Sequence, residues 1–405
     1  MSQQTAHKRT YESTSEEHST EGCPWLVTPA MDITPELSII LPTLNEQRGI
    51  GPCLEQIEVA LTEMESYGEV IVADSSDDYT PDIARLHGAR VIHPDQEGYG
   101  AAYQCAYAVA EGTYLAMGDA DTTYDFTELP KLCELVCDGD ADMAMGSRLD
   151  GTIKPGAMPA LHKYIGNPLL TRFLNLFYDA GVSDAHSGMR VFSRDAWDEM
   201  ECSTTGMEFA SEMIMEAGAN NLEIEEEPIT YYEREGEASL ESFPDGWRHV
   251  RFMLLNAPGY LFSIPGMVMF VAGVALMFTS MFDISILWGN LGTRSLLMSA
   301  MATLIGFQIT NFGVFATVAS DPIKRPTDPY TTWLIERLTL ERGLAIGALL
   351  VLGGGSYVIA TLSRWVTTGF AALPSLSTNI FAVVVMVLGV QLLFGSFLLS
   401  CVAMD

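Results

Sequence analysis

The last third of the chain carries four long apolar stretches, near residues 261–282, 296–318, 344–362 and 380–402. Each is long enough for a helix across a hydrocarbon core about 30 Å thick, which takes roughly 20 residues. One such stretch could be the buried helix of a soluble domain, but four in succession predict a multi-pass membrane domain over residues 260–405. The loop between the second and third stretches holds Lys324, Arg325, Arg337 and Arg342, whereas the other two loops hold only Arg294 and Arg364. Positive charge favours the inner face, so the middle loop is expected to be cytoplasmic. With an even number of spans, the preceding domain and both termini are then cytoplasmic as well.

Charge separates this region from the rest. The 405-residue chain has a formal net charge of −31, yet beyond Pro258 six acidic residues balance six basic ones. The acidic excess therefore lies before Pro258. Nucleic-acid binding needs a basic footprint, and this composition excludes it. Acids spread through a lysine-poor region fit a surface adapted to high salt, where self-repulsion is screened. The seven cysteines (Cys23, Cys53, Cys105, Cys133, Cys137, Cys202, Cys401) form no CxxC or Cys/His ligand pattern. Cys133 and Cys137, four apart on an expected helix, read as packed small apolar residues. His7, Lys8 and Arg9 lead into polar residues rather than an apolar core, so no signal peptide is expected there.

Residues 1–34, dominated by Ser, Thr, Glu and Gln, predict a disordered tail. Strand and helix then alternate through residues 35–240. Apolar runs at 37–41, 70–73, 90–92, 114–117 and 142–145 read as strands. Helices read from the first run's loop to Glu65, from Pro81, and from Gly98-Tyr99-Gly100. This alternation predicts an α/β domain with a mostly parallel sheet and ligand loops at the strand ends. Residues 241–259 mix Trp247, Arg248, Arg251 and apolar side chains, and predict an amphipathic segment at the membrane interface.

Polar clusters follow four of these runs. They are Pro42–Glu46, Asp74–Asp78, Gly98–Gly100 and Asp119–Asp125. Asp119 and Asp121 fall at the carboxyl end of a strand, where open α/β sheets bind ligands. Two carboxylates one residue apart can place oxygens on a hard divalent cation, Mg²⁺ or Mn²⁺, that bridges to phosphate. Taken alone, Asp-Ala-Asp reads more readily as a polar turn or a helix N-cap than as a metal site. Downstream, Arg148, Arg190 and Arg234 have the side chain suited to bidentate phosphate contacts. Glu208 and Glu212, four apart, share one face of a helix.

In this order the clusters resemble family-2 glycosyltransferases of the GT-A fold, whose pattern runs P-x-x-N-E, D-x-S-x-D, a glycine turn and D-x-D. Gly146-Ser147-Arg148, the run Ser183-Asp184-Ala185-His186-Ser187-Gly188-Met189-Arg190, and Tyr231-Tyr232-Glu233-Arg234-Glu235-Gly236 resemble the dolichol-phosphate mannose and glucose synthases more narrowly. The resemblance spans about residues 36–250, and such enzymes commonly carry C-terminal membrane helices. With the acidic composition, it points to a halophilic archaeal origin. It implies that Pro42, Asn45, Glu46 and Asp74 hold the base and ribose of a nucleotide. Gly98 and Gly100 would let the backbone approach the ligand, and Asp119 and Asp121 would clamp a diphosphate through the cation. Arg148, Arg190 and Arg234 match positions near the acceptor phosphate and donor diphosphate, with Ser187 and Lys163 as helpers at the acceptor. One of Glu208 and Glu212 would be a base or an acceptor-positioning group. Three residues depart from the pattern: Ala73 where many relatives have a first aspartate, Thr123 where some place a third metal ligand, and Tyr99 inside the glycine turn.

The implied activity is transfer of one hexose from a nucleotide sugar, such as UDP-glucose or GDP-mannose, to polyprenyl or dolichyl phosphate. It would be metal-dependent and inverting, would serve glycan assembly such as protein N-glycosylation, and leaves homo-oligomerisation open. Two rivals are a processive polysaccharide synthase and a non-catalytic nucleotide-sugar-binding scaffold. Against the first, Arg364-Trp365 lacks the glutamine of a Q-x-x-R-W motif. Against the second, a scaffold has no need of the aspartate pair and three arginines.

Overall fold

The computed structural model describes residues 23–235, 242–282, 292–319, 329–371 and 375–402. Its first part is built on one sheet of seven strands: β1 (Leu37–Thr43), β2 (Gly68–Asp74), β3 (Arg90–Ile92), β4 (Tyr114–Met117), β5 (Met143–Ile153), β6 (Arg190–Ser193) and β7 (Ile224–Tyr231). The spatial order is β3-β2-β1-β4-β6-β5-β7. β1 to β4 pair in parallel, β6 runs antiparallel to both β4 and β5, and β7 returns parallel to β5. Helices α1 (Ile50–Met64), α2 (Thr80–Leu86), α3 (Tyr99–Tyr107), α4 (Leu129–Cys137), α5 (Asn167–Tyr178), α6 (Arg194–Met200) and α7 (Phe209–Asn220) cover it.

Both faces of the sheet are buried, which is why its central strands read as unbroken apolar runs. Successive strand residues point to opposite faces. Ile40, Leu115 and Met117 accordingly feed one core layer with Tyr103 and Phe209, while Ile39, Leu41 and Ala116 feed the other with Ile57 and Phe126. Cys133 belongs to that second layer and Cys137 is exposed; all seven cysteines are free.

Two parts of the sheet escaped the sequence reading. β6 is four residues long and follows a polar loop, so it has no apolar run to announce it. β7 is an edge strand carrying Glu225, Glu226, Glu227 and Pro228, the charged and proline-bearing composition that blunts an open edge. The tail expected to residue 34 is also corrected. Residues 1–22 lie outside the described residues, but Leu26 is buried and bridges to Gly68, and Val27 N–H donates to Gly68 O at 2.8 Å.

The second part begins with α8 (Ser242–Leu255), which rests on α5 and buries His249 and Met253 while exposing Trp247 and Leu255. A wide turn at Gly259–Ser263 leads into α9 (Ile264–Met281). Then follow α10 (Thr293–Ala319), α11 (Pro329–Arg337), α12 (Leu340–Thr367) and α13 (Leu376–Val402). Four helical segments, Gly259–Met281, Thr293–Ala319, Leu340–Thr367 and Leu376–Val402, are long and apolar enough to cross a membrane. They pair as hairpins α9–α10 and α12–α13 with glycine at the crossings: Gly306 lies against the Phe270 backbone and Gly347 against Gly389. The hairpins meet where Gln391 Nε2 donates to Gln308 Oε1 at 3.0 Å.

Candidate active site

The carboxyl ends of β1, β2 and β4 lie along one edge of the sheet. Because β6 is antiparallel, its first residue faces that edge too, with Arg190 opposite both Met117 and Met145. The chain beyond Met145 on β5, and beyond Tyr231 on β7, emerges at the same place. This register gathers Asp74, Asp119, Asp121, Arg148 and Arg234 from four strands, β2, β4, β5 and β7.

At the end of β2, Asp74 is fully buried. Its Oδ1 accepts from Thr43 Oγ1 at 2.7 Å and Ser76 Oγ at 2.6 Å. Its Oδ2 is buried with no partner among the described residues, so one acceptor is left for a ligand's donor. Asn45 adopts a left-handed backbone with φ of 60°. Its N–H donates to Ser76 Oγ at 2.7 Å, and its side-chain carbonyl accepts from Asp77 N–H at 3.0 Å. Asn45 therefore ties the first two strand-end loops together, and Pro42 is half-buried within β1.

Asp119 and Asp121 follow β4, and each has one oxygen engaged by a protein donor. Tyr99 O–H donates to Asp119 Oδ1 at 3.1 Å. Thr123 donates to Asp121 Oδ1 from its N–H at 3.1 Å and from its hydroxyl at 2.5 Å. Behind them, Tyr103 O–H donates to Gly118 O at 3.1 Å and Gln56 holds Phe126 N–H at 3.1 Å, fixing both ends of the loop. The second oxygens differ in surroundings. Asp119 Oδ2 lies against the α-carbon of Gly188, where a methyl group would stand 3.0 Å away. Asp121 Oδ2 faces Arg234 Nη1 at 3.4 Å, and the same guanidinium pairs with Glu46. Burial, and then the neighbouring Asp121 charge, push the Asp119 carboxyl well above its ordinary value. Burial likewise raises Glu46, with Arg234 opposing.

Two carboxylates suit a hard cation, and among the described residues no cluster of three His, Cys, Asp or Glu could cage one. That donor set fits an ion shared between protein, diphosphate and water, the usual arrangement for Mg²⁺ at phosphate sites. Thr123 donates its hydroxyl proton to Asp121.

Arg148 is clamped by Asp184, which was not singled out as a site residue. Its Nε and Nη2 donate to Asp184 Oδ2 and Oδ1 at 2.7 and 2.8 Å, and its backbone N–H reaches Oδ2 at 3.1 Å. The guanidinium carbon stands 5.2 Å from the centroid of the Tyr231 ring. Asp184 is held in turn through its N–H by Glu226, whose carboxylate also takes Ser183 N–H. Thirty-six residues separate the two ends of the Arg148–Asp184 clamp, and no local pattern in the sequence announces it. From the same loop, His186 Nε2 lies 3.2 Å from Ser211 Oγ, which reaches His249 Nδ1 on α8 at 2.8 Å. The loop is thereby tied to the helix before the first span.

Several expected roles are revised. Arg190 is fully buried and donates to the carbonyls of Ser187, Ala210 and Ala185, each at 3.0 Å, so it braces the loop instead of meeting a phosphate. Glu212, 1% exposed, accepts from the N–H and hydroxyl groups of both Ser203 and Thr204, which leaves it no capacity as a base. Glu208 is half-buried at the start of α7, folded over Gly206. Gly98, at φ of 138°, and Gly100 are required by close approach to protein: added methyl groups would overlap the carbonyl oxygens of Thr205 and Thr204. Ser187 is buried with no partner for its hydroxyl among the described residues, and Lys163 lies half-buried over the Tyr164 ring at 5.6 Å.

Comparison with known proteins agrees with this architecture. Residues 38–200 match Glycosyl transferase family 2, and residues 314–403 match the family-2 C-terminal transmembrane region. Over 375 residues the chain is 58% identical to the Haloferax volcanii low-salt glycan biosynthesis hexosyltransferase Agl6, covering 93% of this chain and 91% of that one. A dolichyl-phosphate hexose transferase of the same organism is 34% identical over 212 residues, 52% of this chain and 89% of that protein. Among solved structures, Mycobacterium tuberculosis glucosyl-3-phosphoglycerate synthase with Mn²⁺, UDP and product superposes with a TM-score of 0.44 at 20% identity, covering 55% of this chain and 79% of that one. With a GT-A sheet, its strand-end carboxylates and four membrane-length helices, the chain belongs to glycosyl transferase family 2 and is a glycosyltransferase of the halophilic archaeal, membrane-associated kind.

Proposed function

We propose that this protein transfers one hexose from a nucleotide sugar to a polyprenyl phosphate of the dolichyl type, in glycan assembly at the cytoplasmic membrane face. The observation that carries the reading is the placing of the aspartate pair. Asp119 and Asp121 share one sheet edge with the unpartnered Asp74 oxygen and with Arg148, in a domain that runs through α8 into the first span. The names of the relatives support hexose as the sugar, and one of them supports the lipid phosphate.

Asp74 Oδ2 accepts from a hydroxyl or ring N–H of the nucleotide. Asp119 and Asp121 would hold a divalent cation for the diphosphate through their Oδ2 atoms, with Arg234 beside that of Asp121. A divalent cation held there supplies neutralisation of the diphosphate and of the charge on the departing nucleoside diphosphate. Arg148 keeps Nη1 without a protein acceptor among the described residues while Asp184 fixes its plane, so it presents a rigid donor to phosphate. We assign Lys163 and Ser187 to the acceptor phosphate as helpers. A phosphate monoester has a second pKa of about 6 and is already largely ionised at neutral pH, so alignment suffices and no base is required. The spent carboxylate of Glu212 accords with that. A single displacement inverts the anomeric centre.

Exposed Leu161, Tyr164, Ile165, Leu169 and Leu176 around α5, with Trp247 and Leu255 on α8, form an apolar surface beside the first span that suits contact with lipid. The α9–α10 hairpin returns the chain to the side where it entered, and α11 packs beside the Gly259–Ser263 turn. Arg337 on α11 and Arg342 at the start of α12 then share one side with the catalytic domain, in keeping with a cytoplasmic orientation, while Lys324 and Arg325 lie outside the described residues.

Purified protein given labelled UDP-glucose or GDP-mannose, dolichyl phosphate and Mg²⁺ or Mn²⁺ should yield a lipid-linked monosaccharide that mild acid releases. Product that grows into a polymer, or forms without lipid phosphate, would overturn the reading. Asp119 adds a pH dependence. Burial and Asp121 hold its proton up toward neutral pH, and a cation must compete with that proton. The cation concentration for half-maximal activity should therefore fall as pH rises through neutrality, by about tenfold per unit below the carboxyl's pKa and with a plateau above it.

A further inference from the structure

Tyr99 and Thr123 each donate a hydrogen bond to one of the two aspartates. Tyr99 enters at the first turn of α3, in T-shaped contact with Tyr103 at a centroid distance of 5.0 Å. Burial and the nearby Asp119 charge raise its phenol well above the ordinary value, so it remains a donor. Its hydroxyl takes Asp119 Oδ1. Thr123, 3% exposed, takes Asp121 Oδ1 with two donors. A carboxylate needs both oxygens to chelate an ion. Here each has Oδ1 committed, by donors from two different elements; the other oxygens are both Oδ2, and that of Asp121 stands 3.4 Å from Arg234 Nη1.

We infer that Tyr99 and Thr123 set the cation selectivity of this glycosyltransferase, by confining Asp119 and Asp121 to one oxygen each and so disfavouring Ca²⁺ against Mg²⁺ and Mn²⁺. The inference rests on the proposed cation-dependent transfer and goes beyond it. Ca²⁺ takes six to eight oxygens at about 2.3–2.6 Å and fills its shell with bidentate carboxylates. Mg²⁺ demands six ligands near 2.0–2.1 Å in an octahedron, which single oxygens supply and a chelating carboxylate distorts. The two residues are positioning groups that act through the aspartates. They are also replaceable in kind: Tyr99→Phe and Thr123→Val preserve shape, and Thr123→Val keeps the N–H bond to Asp121.

The test is calorimetric titration of UDP and GDP into the full-length protein in detergent with saturating Mg²⁺, Mn²⁺ or Ca²⁺, comparing wild type with Tyr99→Phe/Thr123→Val. Wild type should bind the nucleotide at least about tenfold more tightly with Mn²⁺ than with Ca²⁺. In the double variant that ratio should shrink by at least about fivefold, mainly through tighter binding with Ca²⁺, because Asp119 Oδ1 is freed for chelation and Asp121 Oδ1 keeps only its bond from the Thr123 N–H. Unfolding temperature, and nucleotide affinity without cation, should stay near wild type. A ratio unchanged in the variant overturns the inference while leaving the proposed function standing. So does uniform weakening with all three ions, which would mark the two hydroxyls as orienting groups only. Nucleotide binding by wild type that ignores cations altogether overturns both.

Discussion

Asp121→Ala should lower sugar transfer by at least about a thousandfold, which corresponds to roughly 4 kcal/mol of transition-state stabilisation. The carboxylate is one of two at the strand end, and it also faces Arg234. Its removal leaves Arg234 to Glu46 alone and takes away an oxygen from the diphosphate side. The fold should tolerate the change, because it also relieves repulsion between Asp121 and the buried Asp119. Asp121→Asn separates charge from shape, since its carbonyl oxygen still accepts from Thr123. Transfer assays paired with thermal unfolding in detergent check both variants. Full activity in either one, with an unaltered unfolding temperature, would remove the aspartate pair from the mechanism.

Asp184→Ala should cost about 3–5 kcal/mol of stability, the range for leaving a buried charge without its partner. Asp184 is fully buried and takes three donors from Arg148, so the change strands a guanidinium that is itself 7% exposed. Burial tends to raise the Asp184 carboxyl, but the Arg148 charge and hydrogen bonds outweigh it and hold the carboxyl below its ordinary value. A depressed carboxyl contributes stability that is complete above its unfolded pKa of about 3.9 and is lost as pH falls through the lower folded value. The pair should therefore support the fold equally from pH 5 to pH 9 and fail only in acid. Chemical denaturation of both proteins across that range is the measurement. A difference under about 1 kcal/mol would put the pair with screened surface bridges. Activity should fall in step, because Arg148 loses the carboxylate that orients it.

The arrangement of charges explains which parts of the molecule were legible in the sequence. Five strands announced themselves as apolar runs, and the polar residues after four of them marked the ligand edge. The aspartate pair was found this way. Membrane spans were the plainest signal, because a helix in lipid must be apolar along its whole length. What escaped was long-range pairing. Arg190 and Arg148 look alike as arginines next to polar residues, yet three carbonyls consume one and a carboxylate aims the other. Glu212 sits at helical spacing from Glu208 and gave no sign that four donors from residues 203 and 204 would occupy it. Gly98 and Gly100 were recognised as places of close approach, but nothing in their own segment names the Thr204–Thr205 backbone as what approaches.

The glycines at the helix crossings carry a lesson about what kinds of change this membrane region can absorb. Replacing Gly306 or Gly347 with leucine would raise the hydropathy of its span and look harmless on any transfer scale. Yet the added side chain would have to fit where Gly306 touches the Phe270 backbone and Gly347 the Gly389 carbonyl, and the two helices of the hairpin would be driven apart. Within the bilayer every neighbour is equally oily, and polarity carries little information about which helix belongs beside which. Size carries it instead, so substitutions here should be ranked by volume before they are ranked by chemistry.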